Sequence, residues 1–473
     1  MARGESVPFR RLALAVMTAG VLGALSSLGG CGSSSEQPTK TTNAGGDAGD
    51  VVDAGFDPDD PNSGDVDPGG PIAAQMNDVS IMFPLPQTAA DIASLLAPSV
   101  VGSRGTLVPS SLYTTVAELP GSTLTTTAPS NGLAGYSIAS YDDLRVVSVR
   151  IDPCFAVMHP DPHGAGCPPQ VRLVFQEVRA IDGGAPQAFD SALHAIYSLP
   201  RNELLTLARK LVALRKANDA ANTSAGSLGP HPVIVQQGLA GGMSAGVQKL
   251  ILQYVGEENL VRVAMFGTDD QLNWIFRAND LPDGGADAIA DAGAATTTPF
   301  VIPNETLGDP HLQTITSASR PPDVPPLGAF ALGWFFQPMI SSPDDIEPLG
   351  GANQSPTTQM SSDAFTALLR LEDPTQRTFD TTDCGSCHLS TPLAKLVALP
   401  EGNDDTTTAT SGKDAGFVPD GKSVTAADMA VMYDLTLPRI DLHAFSYDIT
   451  SPTVNRRVVN ETAAIVEYLS ALP

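Results

Sequence analysis

Five consecutive residues near the end of the chain, Cys384-Gly385-Ser386-Cys387-His388, have the types and spacing that covalent haem attachment requires. Each thiol can add to one vinyl group of the porphyrin, and the adjoining imidazole can reach the iron as an axial ligand. Two other chemistries of the same residues are served less well. A Cys-x-x-Cys dithiol redox motif sits where a strand runs into a helix, whereas residues 377–383 read as a polar loop. A structural zinc site needs four ligands, yet no cysteine follows Cys387 and His443 is the one histidine downstream of the motif.

On this motif, and over roughly residues 356–473, the chain resembles the cytochrome c family. The resemblance implies one covalent haem c on Cys384 and Cys387, with His388 as the proximal iron ligand. It also implies a small helical domain whose first and last helices cross. Residues 362–371 and 456–472 carry helical patterns, with Phe365 and Tyr468 suited to the crossing. The chain departs from the family in a longer loop before Cys384 and in an acidic, Thr-rich insertion at 401–422. The family's sixth ligand is most often a methionine some way before the last helix. Here His443, in Leu442-His443-Ala444-Phe445, is the candidate distal ligand and Met432 the alternative, with Met429 or an open position behind them. His/His ligation would lower the potential relative to His/Met.

The remaining cysteines have their own chemistry. Arg3, Arg10 and Arg11 precede an apolar run at 12–28 that is short for a membrane span and reads as an export signal. It ends Leu28-Gly29-Gly30-Cys31, which resembles the bacterial lipobox and makes Cys31 the expected lipidation site. Cys154 and Cys167 are left over, and in an oxidising compartment a disulfide is their expected state. The loop between them holds His159 and His163, whose Pro-rich setting favours a plain turn over a metal site.

Composition narrows the partners. A formal charge of −26 excludes nucleic acid and an electrostatic grip on an anionic membrane surface, so the expected membrane contact is the N-terminal lipid. The expected organisation is a signal peptide at 1–30, a disordered tether at 31–72, an α+β domain at 73–315, a Pro/Gly-rich linker at 316–355 and a haem domain at 356–473. The predicted fold class is therefore an α+β N-terminal domain of unrecognised fold followed by a mostly α-helical cytochrome c-like domain.

Within the first domain, alternation over 144–152 predicts a half-buried strand, with Val147, Val149 and Ile151 inward and Ser148 and Arg150 outward. Residues 171–178 predict a second strand, and 190–199 and 202–217 predict helices. His194 falls on the first of these as a core-edge histidine. Residues 233–235 read as a strand and 425–435 as a helix. Gly242-Met243-Ser244-Ala245-Gly246 matches the nucleophile turn of serine hydrolases in letters, but a plain connection into a helix reads better.

The function these features predict is a membrane-tethered, single-haem electron carrier in an exported bacterial lipoprotein, facing the periplasm or the cell exterior. Its redox partner is a protein that the sequence does not name. Two alternatives use the same residues differently. One is a haem-based sensor or peroxidase-type enzyme with an open sixth site. The other is an extracytoplasmic binding module with an accessory cytochrome domain.

Overall fold

The computed structural model describes residues 70–117, 139–154, 169–181, 183–219, 221–268, 273–281, 312–316, 368–376, 387–392, 394, 417–419, 422–433 and 441–473. All of them lie in one compact unit, Ala54–Pro473. The signal segment, the tether as far as residue 69, the 316–355 linker beyond Thr316, and Cys31, Cys167 and Cys384 fall outside the described residues; Ile72, at the end of the expected tether, is buried and its amide donates to the Leu469 carbonyl at 2.8 Å.

Chain order starts with helix α1 (Met76–Val79), strand β1 (Ser80–Met82), helix α2 (Ala89–Ile92), the small hairpin β2 (Val101–Gly102) and β3 (Gly105–Thr106), and helix α3 (Ser110–Ala117). The long strands follow: β4 (Leu144–Asp152), β5 (Gln170–Ala180) and β6 (Pro186–Ser198). Helices α4 (Arg201–Asn218), α5 (Pro232–Gln237) and α6 (Gly242–Tyr254) are inserted before β7 (Leu260–Thr268), β8 (Asn273–Asp280) and β9 (Leu312–Thr316). A second hairpin, β10 (Phe445–Asp448) and β11 (Ser451–Val454), leads into helix α7 (Arg456–Ser470).

β1 and β4 to β9 form one seven-stranded sheet in the order β1-β4-β5-β6-β7-β8-β9, antiparallel throughout. Val, Ile, Leu and Phe dominate β4 and β5, as a buried pleated surface demands. Residues paired across strands share a face, so the register separates the two sides of the sheet. One side carries the row Ile81, Val149, Leu173, Ala195 and Val263, all buried. On this side too, the Tyr197 hydroxyl donates to the Leu107 carbonyl at 2.8 Å. The other side carries Ser80, Ser148, Arg150, Arg172, Gln176 and His194.

That polar side is not open to water. Ser80, Ser148 and Gln176 have no exposed surface, and Arg150 and Arg172 are 6% and 8% exposed. The C-terminal residues cover it with matching groups. Thr462 of α7 shares a 2.7 Å hydrogen bond with Ser80, and Glu461 binds Arg150 at 2.7 Å and Arg172 at 3.3 Å. From the hairpin, Phe445 accepts from the Ser148 hydroxyl at 2.7 Å, and Tyr447 exchanges two hydrogen bonds with the Gln176 amide.

This overturns the expected fold class. The last 33 residues (441–473) are a two-stranded hairpin and a single helix laid across an antiparallel sheet, not part of a mostly α-helical cytochrome c-like domain. The physical reason lies in Arg150 and Arg172. Alternation marks Arg150 as solvent-facing, but its guanidinium group and that of Arg172 are neutralised by a carboxylate some 300 residues later in the chain.

α7 itself forms for local reasons. Asn455 caps it, accepting the Val458 amide at 2.9 Å, and Val459, Ala463, Val466 and Leu469 make a fully buried stripe. Its first turns also hold two short helical stretches, 368–372 and 387–392. Arg457 donates to the Leu371 carbonyl at 2.7 Å and Asn460 to the Glu372 carbonyl at 2.8 Å. The Arg456 amide donates to Thr391 at 2.8 Å, and the Asn455 side-chain amide to the Cys387 carbonyl at 3.3 Å.

Three local readings change. Residues 190–199 are strand, because β6 pairs along its length with β5 and β7; that pairing outweighs the helical leaning of an Ala-rich stretch. Residues 233–235 lie in helix α5, whose first turn opens on Pro232 with φ already set for a helix. The described part of 425–435 is turn and bridge rather than helix. The hydrolase-like letters also lose their context. Ser244 is buried inside α6, follows a helix instead of a strand, and accepts a hydrogen bond from Gln248 at 3.2 Å.

Where α6 gives way to β7, Gly256 passes tightly over the β2–β3 turn. Its backbone is extended, so conformation does not demand glycine, but an added Cβ would run into the Arg104 carbonyl. That carbonyl is fixed by the Glu258 amide at 3.2 Å. Gly256→Ala should therefore cost about 1–3 kcal/mol, read as a lowered urea midpoint with an unchanged slope. A loss of under about 0.5 kcal/mol, the usual range for harmless surface changes, would show the two segments to be freely separable.

Candidate functional site

Cys387 and His388 open the helical stretch 387–392, which α7 holds through the Cys387 carbonyl and Thr391. The Cys387 thiol is free, half-buried, and pushed up to about 11 by burial, against the opposing pull of Arg457. His388 is 7% exposed, and its Nδ1 lies 2.5 Å from the Leu442 carbonyl. A carbonyl only accepts, so Nδ1 carries the proton and Nε2 carries the lone pair. Burial pushes the imidazole down to about 4, the Leu442 bond opposing and His443 adding to it, so the ring is neutral near pH 7.

These groups fit a haem c. The thiol is reduced, and the imidazole is held in the tautomer that presents Nε2 to a metal, its other nitrogen anchored on a carbonyl as metal-binding histidines usually are. Cys384, the third group, lies outside the described residues.

The surroundings come from distant parts of the chain. Phe266 of β7 has its ring centre 5.2 Å from that of His388, 5.6 Å from His443 and 5.6 Å from His194. His194 of β6 stands 5.7 Å from His388, tilted by 41°. Three imidazoles thus gather around one phenyl ring. Reading 190–199 as a helix hid His194. Read as a strand, period two places it on the same side of the sheet as Ser148, Arg150 and Arg172.

His443, in the loop before β10, is fully buried. Its Nδ1 lies 2.5 Å from Asp441 Oδ1, and the Asp441 carboxylate also accepts from the His443 amide at 2.8 Å and from Thr453 at 2.6 Å. Burial alone would lower its pKa; the charge of Asp441, with Asp190 and Asp448, overrides this and holds it up. The other ring nitrogen, Nε2, is 3.1 Å from the Gln176 amide nitrogen. A ring nitrogen of His443 and one oxygen each of Asp190 and Asp448 lie within 4.8 Å of one another. Met432 is placed differently: its sulfur lies over Gly229 and its backbone bridges to Val454. Met429 packs against the core.

Beneath the motif runs a buried charge network. Arg457 binds Glu461 Oε1 at 2.7 Å, Arg150 and Arg172 share Glu461 Oε2, and Arg172 binds Asp152 at 2.6 Å. Asp152 also accepts the Cys154 amide at 2.9 Å. Cys154 is half of a disulfide; its expected partner Cys167 lies outside the described residues, as do His159, His163 and the lipidation candidate Cys31. Among the described residues no helix is long and apolar enough to cross a membrane. No protein-family model, curated protein or solved structure matches the chain.

Proposed function

We propose that this chain carries one covalently attached haem c and works in electron transfer, tethered to a membrane from outside the cytoplasm by lipid on Cys31. Cys384 and Cys387 would hold the porphyrin, and His388 would ligate the iron. The observation that carries the reading is the Cys-x-x-Cys-His motif together with the fixed tautomer of His388, whose Nδ1 is committed to the Leu442 carbonyl. A bound haem supplies a one-electron couple between ferric and ferrous iron. The chain's own residues orient and shield. Leu442 sets the ring plane of His388, and Phe266 and Phe445, both buried, keep water from that side. The network of Arg150, Arg172, Arg457, Glu461 and Asp152 stiffens the base on which the motif rests.

The test is an absorption spectrum of the reduced full chain before and after carbon monoxide. A haem c spectrum that the gas leaves unchanged supports an electron carrier with two protein ligands. A clear shift moves the reading to gas or peroxide chemistry at an open sixth position. Absence of any haem c spectrum ends the proposal.

A further inference from the structure

We infer that His443, Asp190 and Asp448 form a second site, for a divalent metal ion such as zinc, and this does not rest on the haem reading above. A ring nitrogen of His443 and one oxygen from each aspartate lie within 4.8 Å of one another. Zinc holds imidazole nitrogen and carboxylate oxygen at about 2.0–2.2 Å, so ligand atoms around one ion stand about 3–4.4 Å apart. Small side-chain rotations close these three atoms on a single ion. Three protein ligands leave a further position for water, the arrangement of an open zinc site.

The donor set selects the ion. One imidazole and two carboxylates suit zinc or manganese, whereas magnesium and calcium favour oxygen ligands alone. A protonated His443 ring brings one positive charge to the carboxylates around it, those of Asp441, Asp190 and Asp448; a divalent ion brings two. His443 and Asp448 are buried and Asp190 is half-buried, so charges there are weakly screened. His443 also has the outer support that metal-binding histidines carry. Asp441 takes Nδ1 at 2.5 Å and is itself held by Thr453 at 2.6 Å, which makes Nε2 the ligating nitrogen.

The fold presets the two aspartates. β5 and β6 lose register where Gln176 faces Ala192 and Val178 faces Ala188, so Phe189, Asp190 and Ser191 together oppose Glu177 alone. Bulges of this kind re-aim side chains, and Asp190 is the middle residue of this one. Asp448 ends β10, and the turn after it is fastened to β6, the Ala188 amide donating to the Ile449 carbonyl at 2.8 Å. Ile449 sits at φ 56°, which a β-branched side chain resists, so the turn is held there against strain. Gln176 ties the two halves together. Its amide nitrogen donates to the Phe189 carbonyl at 2.9 Å and to the Tyr447 carbonyl at 2.6 Å, each the residue before a ligand. With both hydrogens so placed, its 3.1 Å approach to His443 Nε2 donates none to that nitrogen.

The test uses the full chain, stripped with a chelator and titrated calorimetrically with Zn²⁺ or Mn²⁺, as wild type and as Asp190→Asn, Asp448→Asn and Asp441→Asn. Zinc and manganese are counted apart from any haem iron. Wild type should take up one ion that magnesium does not displace. Asp190→Asn and Asp448→Asn should each weaken binding by more than about 100-fold, and Asp441→Asn by about 10- to 100-fold, the range for an outer carboxylate. Added zinc should raise the urea midpoint of wild type, because the ion pins the β10–β11 hairpin to β6, and leave that of Asp190→Asn unmoved. Failure of the folded wild type to bind either ion overturns the site. So does binding that Asp190→Asn and Asp448→Asn leave unchanged, which would put the ion on other donors such as Cys384, Cys387 and His388. Should Asp448→Asn, with its buried side chain, fail to fold, Asp190→Asn and the wild-type titration decide the matter.

Discussion

Replacing Cys384 and Cys387 together by alanine should abolish covalent haem completely, so that the denatured chain no longer stains for haem and its mass falls by one porphyrin. The loss is total because each thioether is an independent covalent link, and no other cysteine lies within the motif. The described half of the motif supports this chemistry: Cys387 has a free thiol, and His388 beside it presents Nε2. Either single change should leave a chain held by one bond, with weaker staining. His388→Ala should retain the covalent haem and alter its spectrum, which separates attachment from ligation. Lipid on Cys31, followed by intact mass, should be unaffected by all of these. A haem-stained band that survives the double change would refute attachment at this motif.

The second large effect is on stability. Glu461→Gln should destabilise the fold by about 3–5 kcal/mol, the range for removing one partner of a buried ionic group. Exposure decides between this figure and the 0–1 kcal/mol typical of a surface pair. Glu461 is 6% exposed, and the guanidinium groups it binds, those of Arg150, Arg172 and Arg457, belong to residues 6%, 8% and 2% exposed. Glutamine keeps the shape but removes the negative charge that these three buried cations share. Glu258→Gln, on the exposed surface, is the control and should stay within about 0.5 kcal/mol. Urea unfolding of the two variants measures both. A Glu461→Gln loss below about 1 kcal/mol would mean that the C-terminal helix does not depend on this network.

The same network sets an acid limb. Burial alone would raise the Glu461 carboxyl, but Arg457, Arg172 and Arg150 outweigh it and hold the group well below the usual carboxylate range. A carboxylate with a depressed folded pKa contributes stability that is complete above its unfolded value, about 4.5, and fades as pH falls from there toward the folded value. Asp152 works the other way: burial pushes it up, so protonation at low pH relieves a cost. The wild-type chain should therefore lose stability below about pH 4.5, and Glu461→Gln should show a flatter acid limb.

The comparison of pattern with fold turns on a few residues. β4 was legible because Val147, Val149 and Ile151 alternate with Ser148 and Arg150. α7 was legible because Asn455 stands at its start and four apolar residues repeat along one face. Both signals are local, carried by residues within a turn or two of one another. What lies on the other side of β4 was not legible. Alternation cannot tell a face that meets water from one that meets a later segment rich in complementary polar groups. Ser148 is bonded to Phe445, and Arg150 to Glu461, across 297 and 311 residues.

His194 shows the same division within the site. Its neighbours in sequence, Ala192, Leu193, Ala195 and Ile196, lean toward helix, and pairing with β5 and β7 makes them strand. By itself the sequence singled out Cys384, Cys387 and His388 as the residues proposed to hold a haem, because such attachment needs reacting groups adjacent in the chain. Which groups surround His388 was decided by tertiary structure alone. His194, Phe266 and His443 come from two strands and a late loop, and what brings them together is the burial of a polar sheet face that no local pattern announces.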